Sequence, residues 1–110
     1  MGIASSKYEA LNKAADKFEG QMLIELSNSN YVSYEQVLDA FDTALRSSGI
    51  RSDIRMMILA NFSRAEYDKV FFLHNSMSRT VADAHRLAMM MANYTRLLGR
   101  SVIDNAGLKR

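Results

Sequence analysis

The sequence predicts an all-α protein, a compact bundle of four or five amphipathic helices. Apolar residues recur at steps of three and four through nearly the whole chain, the signature of helices with one buried stripe. No segment shows a convincing strict alternation, so no strand is expected. The 110 residues include no Pro and only five Gly, too little turn punctuation for a sheet-rich fold. At this length the expectation is a single helical domain over residues 1–110.

The first helix is expected from Ser5 or Ser6 to about Ser27, with Tyr8, Leu11, Ala15, Phe18, Met22 and Leu26 on one stripe. Gly20 lies inside it and marks a candidate close helix crossing, since an unneeded Gly costs about 1 kcal/mol there. The polar run Ser27-Asn28-Ser29-Asn30 ends the helix, because short polar side chains compete for backbone hydrogen bonds.

Ser33 opens the second helix, with Gln36 at capping-box spacing. Val37, Leu38, Phe41, Ala44 and Leu45 form its apolar face. Gly49 fits a left-handed cap that ends it, and Ile50 fits the apolar contact beyond such a cap. The third helix begins at Ser52 or Asp53 and turns Ile54, Met57, Ile58 and Phe62 inward. Ser63 with Glu66 repeats the capping-box spacing and predicts a break between Asn61 and Ser63. Tyr67, Val70, Phe71 and His74 then share a face.

Thr80 and Asp83 give a further capping signal before the last helix, expected from Val81 to Leu98 with an extension toward Asn105. Val81, Ala84, Leu87, Ala88, Met91, Ala92, Leu98 and Val102 form a broad apolar side, which Met89, Met90, Tyr94 and Leu97 widen further. A helix apolar over most of its circumference is either central in a core or shared with another subunit.

Composition excludes several functions. There is no Cys, hence no disulfide, thiol nucleophile or Cys-ligated metal. No apolar run approaches a transmembrane span, and no basic stretch precedes an apolar core as in a secretory signal. The expected location is the cytoplasm or a macromolecular assembly. His74 and His85 are the only histidines, and no nucleophile, phosphate-loop or zinc-protease spacing accompanies them. The expectation is a non-enzyme with no cofactor and no metal. Glu25 to Gln36 falls partly on calcium-loop positions, but Asn30 replaces the turn Gly and Gln36 the bidentate Glu. Gly2 with Ser6 matches a short myristoylation pattern, and Asn61-Phe62-Ser63 and Asn93-Tyr94-Thr95 match glycosylation sequons, all of low specificity.

Charge is divided along the chain. Residues 1–50 carry four basic side chains against seven acidic ones; residues 51–110 carry ten against five. Complementarity between the halves, contact between copies, and an anionic partner all fit this division. Two functional readings follow. The first is a structural or adaptor protein that self-associates and contacts protein partners, with Met90, Tyr94 and Leu97 at the homo-oligomer interface. Small phage or viral assembly proteins share this physical character, though no motif assigns the chain to them.

The second is nucleic-acid binding. Arg79, Arg86 and Arg100 lie at intervals of seven and fourteen, with Asn93 between and Arg96 near the line, a stripe that fits phosphate contact. A helix-turn-helix reading around Gly49, with Arg51 and Arg55 facing DNA, is the weaker variant, because Ile54, Met56, Met57 and Ile58 leave its recognition helix apolar. The aromatic group Phe62, Tyr67, Phe71 and Phe72 fits core better than a base-stacking platform, with Phe72 its most exposed candidate.

Overall fold

The computed structural model describes residues 7–29, 31–72 and 80–108, without the side chains of Val70, Phe72, Gly107 and Leu108. Among these residues the fold is all-α, with helices α1 (Glu9–Asn28), α2 (Tyr34–Ser47), α3 (Ser52–Asn61), α4 (Arg64–Tyr67) and α5 (Val81–Leu108), and no strand. A π-helical turn, Asp68–Phe72, continues directly from α4.

Helix α1 buries Leu11, Ala14, Ala15, Phe18, Met22 and Leu26, positions that share one side of the helix and keep one stripe inward. It packs chiefly on α5 and α2. Gly20 is not its crossing point: a Cβ there would meet nothing within 4 Å. The close approach is at Gly99 of α5, where a Cβ would fall 3.1 Å from Leu11 Cγ and nearer still to both of its methyl carbons.

Both ends of α2 follow from local hydrogen bonding. Ser33 Oγ accepts from the Gln36 N–H at 3.1 Å, and the Ser33 N–H donates to Gln36 Oε1 at 2.8 Å, a complete capping box. At the other end the Gly49 N–H donates to the Arg46 carbonyl and the Ile50 N–H to the Leu45 carbonyl. Gly49 sits at φ +81°, the left-handed conformation this Schellman cap requires. Ile50 then packs against the core.

Helix α3 begins at Ser52, as expected, with Arg51 at its cap position and no side-chain cap bond. Only Ile58 is fully buried in this short helix, with Ile54, Met57 and Leu59 partly buried around it. At Phe62 the backbone turns extended and drives the ring inward. Tyr34 Oη donates to the Phe62 carbonyl at 2.7 Å, satisfying the acceptor that the helix break exposes. Ser63 Oγ then accepts from the Glu66 N–H and starts α4.

The core is rich in aromatic contacts. Phe18 lies 5.3 Å from Phe41, Phe41 lies 5.6 Å from Phe62, and Phe62 and Phe71 each meet the Tyr94 ring edge-on at 5.5 and 5.8 Å. Tyr67 is fully buried with its hydroxyl donating to the Val32 carbonyl at 2.6 Å. Thus Phe62, Tyr67 and Phe71 are core residues, as helical spacing predicts. His74 lies outside the described residues, and nothing is described of Phe72's side chain. Ser5, Ser6 and Gly2 also fall outside the described residues.

Helix α5 is longer than its predicted span, running without interruption to Leu108. Thr80 and Asp83 form its start: the Thr80 N–H and hydroxyl donate to Asp83 Oδ2, and the Asp83 N–H donates back to Thr80 Oγ1. At about 1.5 Å per residue, its 28 residues extend roughly 42 Å. Among the described residues, no helix is long and apolar enough to cross a membrane.

Candidate interaction surface on the last helix

The inward side of α5 carries Ala84, Leu87, Ala88, Met91, Ala92, Thr95 and Val102, all buried. The outward side carries a second, exposed apolar set, Met89, Met90 and Leu97, with Leu97 68% exposed and Met90 38%; Val81 is also exposed but lies at the helix start in line with the buried side, beside Ala84 and Leu26. The three consecutive methionines therefore divide, Met91 inward and Met89 and Met90 outward, because successive residues are about 100° apart around a helix.

Of the three residues expected at a subunit interface, Met90 and Leu97 face solvent. Tyr94 does not. It is half-buried, with its ring against Phe62 and Phe71 of the same chain, at the core's edge. Burial raises the pKa of its phenol, helped by the negative charge of Glu66.

The arginines predicted as a phosphate stripe have separate partners. Arg79 lies outside the described residues. Arg86 is exposed and pairs with Asp83 one turn back, at 3.0 Å. Arg96 is only 23% exposed and reaches across to Asp16 of α1 at 2.6 Å, while also donating to Asn93 Oδ1 at 2.9 Å. Arg100 lies over the ring of Tyr8, 5.1 Å from its centroid, a cation–π contact that anchors the start of α1. Arg86 and Arg96 thus each hold a carboxylate, so these groups do not form one continuous unpaired basic track.

Charge complementarity between the two halves of the sequence is realised inside the chain. Arg55 holds Asp42 at 2.6 Å, Arg64 holds Glu35 at 3.1 Å and Arg96 holds Asp16, while Lys7 holds Asp104 at 2.8 Å in the opposite sense. Asp104 also accepts from Tyr8 Oη at 2.6 Å, and the hydrogen bonds from Lys7 and Tyr8 hold its carboxyl below the usual carboxylate range. Arg55, a candidate DNA contact in the helix-turn-helix reading, is committed to Asp42; Arg51 pairs with Asp53.

His85 is exposed on α5. Among the described residues, no group of three or more His, Asp or Glu is placed to hold a metal ion. In the span that resembles a calcium loop, the Gln36 side chain serves the capping box. A shallow groove of about 320 Å³ between α1 and α2 is lined partly by Lys17, Gln21, Glu25 and Asp39, with Lys17 donating to the Ser47 carbonyl at 2.9 Å.

The outward side also has an order that the separate residue readings missed. Asp83, Arg86, Met90, Asn93, Leu97, Arg100 and Asp104 follow one another at alternating steps of three and four, a heptad seam along α5. All seven are exposed or partly exposed. The signal was present in the sevenfold spacing of Arg86, Asn93 and Arg100; Met90 and Leu97 complete the same seam. Comparison of the chain with protein-family models, curated proteins and solved structures finds no match.

Proposed function

We propose that this protein is a non-enzymatic helical structural or adaptor protein, which self-associates and contacts partner proteins through the outward side of α5. The observation that supports this reading is the second apolar set on α5: Met89, Met90 and Leu97 remain exposed on a helix whose opposite side already completes the core. Met90 and Leu97 lie two turns apart on one face with Met89 beside them, a clustered apolar set of the kind that fits an interaction surface. Methionine adds adaptability, because its unbranched thioether repacks against differently shaped partners.

The nucleic-acid reading has less support. A phosphate approaching the predicted stripe would have to compete with Asp83 for Arg86 and with Asp16 for Arg96.

Sedimentation equilibrium across micromolar concentrations tests the proposal. A mass above that of the 12.4 kDa chain, rising with concentration, is expected. A clean monomer at every concentration overturns self-association. Titration with labelled duplex and single-stranded nucleic acid at two salt concentrations tests the other reading. Salt-sensitive binding that weakens in Arg86→Ala and Arg100→Ala proteins would replace the protein-contact reading with phosphate contact.

A further inference from the structure

Methionine carries all the sulfur of this chain, because cysteine is absent. A hydroperoxide meeting the folded protein finds no thiol, and its two-electron chemistry falls on thioethers. The fold sorts these by access. Met22 and Met91 are buried and Met57 packs partly against the core, whereas Met56, Met89 and Met90 are 58%, 49% and 38% exposed. Met1 and Met77 lie outside the described residues. Met56 stands on α3; Met89 and Met90 stand together on the outward side of α5.

Resting on the self-association reading, we infer that Met89 and Met90 form a redox-controlled site, at which a hydroperoxide turns the exposed apolar set of α5 polar and so weakens association. With hydrogen peroxide, the thioether sulfur attacks one peroxide oxygen. An S–O bond forms as the O–O bond breaks, and the displaced hydroxide takes the proton from the new S–OH group. The products are a sulfoxide and water; the sulfur loses two electrons and the peroxide gains them. A dithiol, acting through sulfoxide reductases specific for each epimer, returns the thioether and yields a disulfide and water.

The placement of the two sulfurs makes their oxidation a change of surface, with the core left intact. Successive helix residues are about 100° apart, so Met91, next in sequence, points inward and stays covered. Donors for the sulfoxide oxygens stand within one turn. Arg86 lies four residues before Met90 and Asn93 four after Met89, spacings at which helix side chains meet. Arg86 donates to Asp83 through Nη1, and its guanidinium carries further N–H groups; Asn93 accepts from Arg96 through Oδ1, and its amide N–H groups face no such demand. The separated, oxidised chain therefore keeps its new polar atoms hydrated and hydrogen-bonded. An apolar contact would take them out of water, which favours separation. Leu97, on the same side, is left untouched by peroxide, so the chemistry acts on two of the three exposed apolar side chains there.

Wild-type protein at associating concentrations is treated with dilute hydrogen peroxide, and peptide mapping follows each methionine. Met56, Met89 and Met90 are expected to gain oxygen well before Met22 and Met91. Sedimentation equilibrium should then show association weakened by about tenfold or more, the effect of placing an uncompensated polar group in an apolar contact, with helical circular dichroism unchanged. Sulfoxide reductases supplied with a dithiol should restore it. Met56→Leu protein should keep the full response. Protein carrying both Met89→Leu and Met90→Leu should hold one association constant before and after peroxide, whatever its value, while its Met56 still oxidises.

Association unaltered once Met89 and Met90 are oxidised would overturn the switch and leave self-association standing. An undiminished response in the double leucine variant would do the same. Met91 oxidising as fast as Met90, or helix lost as Met89 and Met90 oxidise, would overturn the switch as well, because the effect would then be damage to the core. An untreated chain that is monomeric at every concentration would overturn self-association, and the switch with it.

Discussion

Gly99 of α5 lies directly against the side chain of Leu11 of α1, so closely that there is no room for a Cβ between them. Leu11 is itself buried, 1% exposed, and has little space into which to retreat. Gly99→Ala therefore sets a helix-propensity gain of about 1 kcal/mol against an overpacking cost of about 1–3 kcal/mol. The expected net result is destabilisation. Gly20→Ala, where a Cβ meets nothing, should stabilise by about 0.5–1 kcal/mol. Denaturant unfolding of both variants checks this pair; a Gly99→Ala protein as stable as Gly20→Ala would contradict it.

Gly49 shows the other reason a helical protein keeps a glycine. Its φ of +81° is a left-handed conformation, while the space around its Cα is open. The cost of Gly49→Ala is therefore backbone strain, expected at about 1 kcal/mol. Gly49→Asn should cost less, because Asn enters the left-handed region more readily. Equal losses for the two, measured by thermal unfolding, would assign the effect to something other than φ.

The features legible in the sequence were those set by residues near one another along the chain. The Ser33–Gln36 box, the Gly49 cap, the Ser63 and Thr80 starts and each helix's buried stripe depend on hydrogen bonds or spacing within one or two turns. What could not be read depends on how helices rotate against one another. Nothing local distinguishes Gly99 from Gly20 as the crossing point. Arg96 finds Asp16, eighty residues away. Tyr94 and Leu97 are three residues apart, yet one meets Phe62 and the other solvent. The π-helical turn after Tyr67 was also invisible, because spacing of four between Tyr67 and Phe71 fits an ordinary helix equally well.

Asp42 predicts a pH dependence. Burial opposes its ionisation, but hydrogen bonds from Arg55 and Arg46, with their charges, outweigh this and lower its pKa below the ordinary value. A carboxyl lowered by folding contributes stability above its unfolded pKa, about 3.9, and loses that contribution as pH falls through the folded value. Asp42→Asn should thus be less stable than wild type at pH 7 by about 1–2 kcal/mol, as Arg55 loses its charged partner. The gap should close as the pH falls below about 4. Urea unfolding from pH 7 to pH 2 checks it: a gap independent of pH would exclude ionisation of Asp42 as the cause.

The two sides of α5 predict opposite responses to similar substitutions. Met91 is 1% exposed and packed in the core, so Met91→Ala should cost about 2–4 kcal/mol through lost contacts and a residual cavity. Leu97 is 68% exposed, and Leu97→Gln replaces it with a residue of similar helix propensity. At protein concentrations below the association range, that change should alter stability by no more than about 0.5 kcal/mol. At concentrations where copies associate, the same substitution should lower the apparent unfolding temperature, because association stabilises only the folded chain. Unfolding of wild type and both variants over a hundredfold range of concentration separates these effects. A concentration-independent loss at Leu97 as large as that at Met91 would mean that Leu97 belongs to the core of a single chain, and the outward face of α5 would then have no claim to a partner.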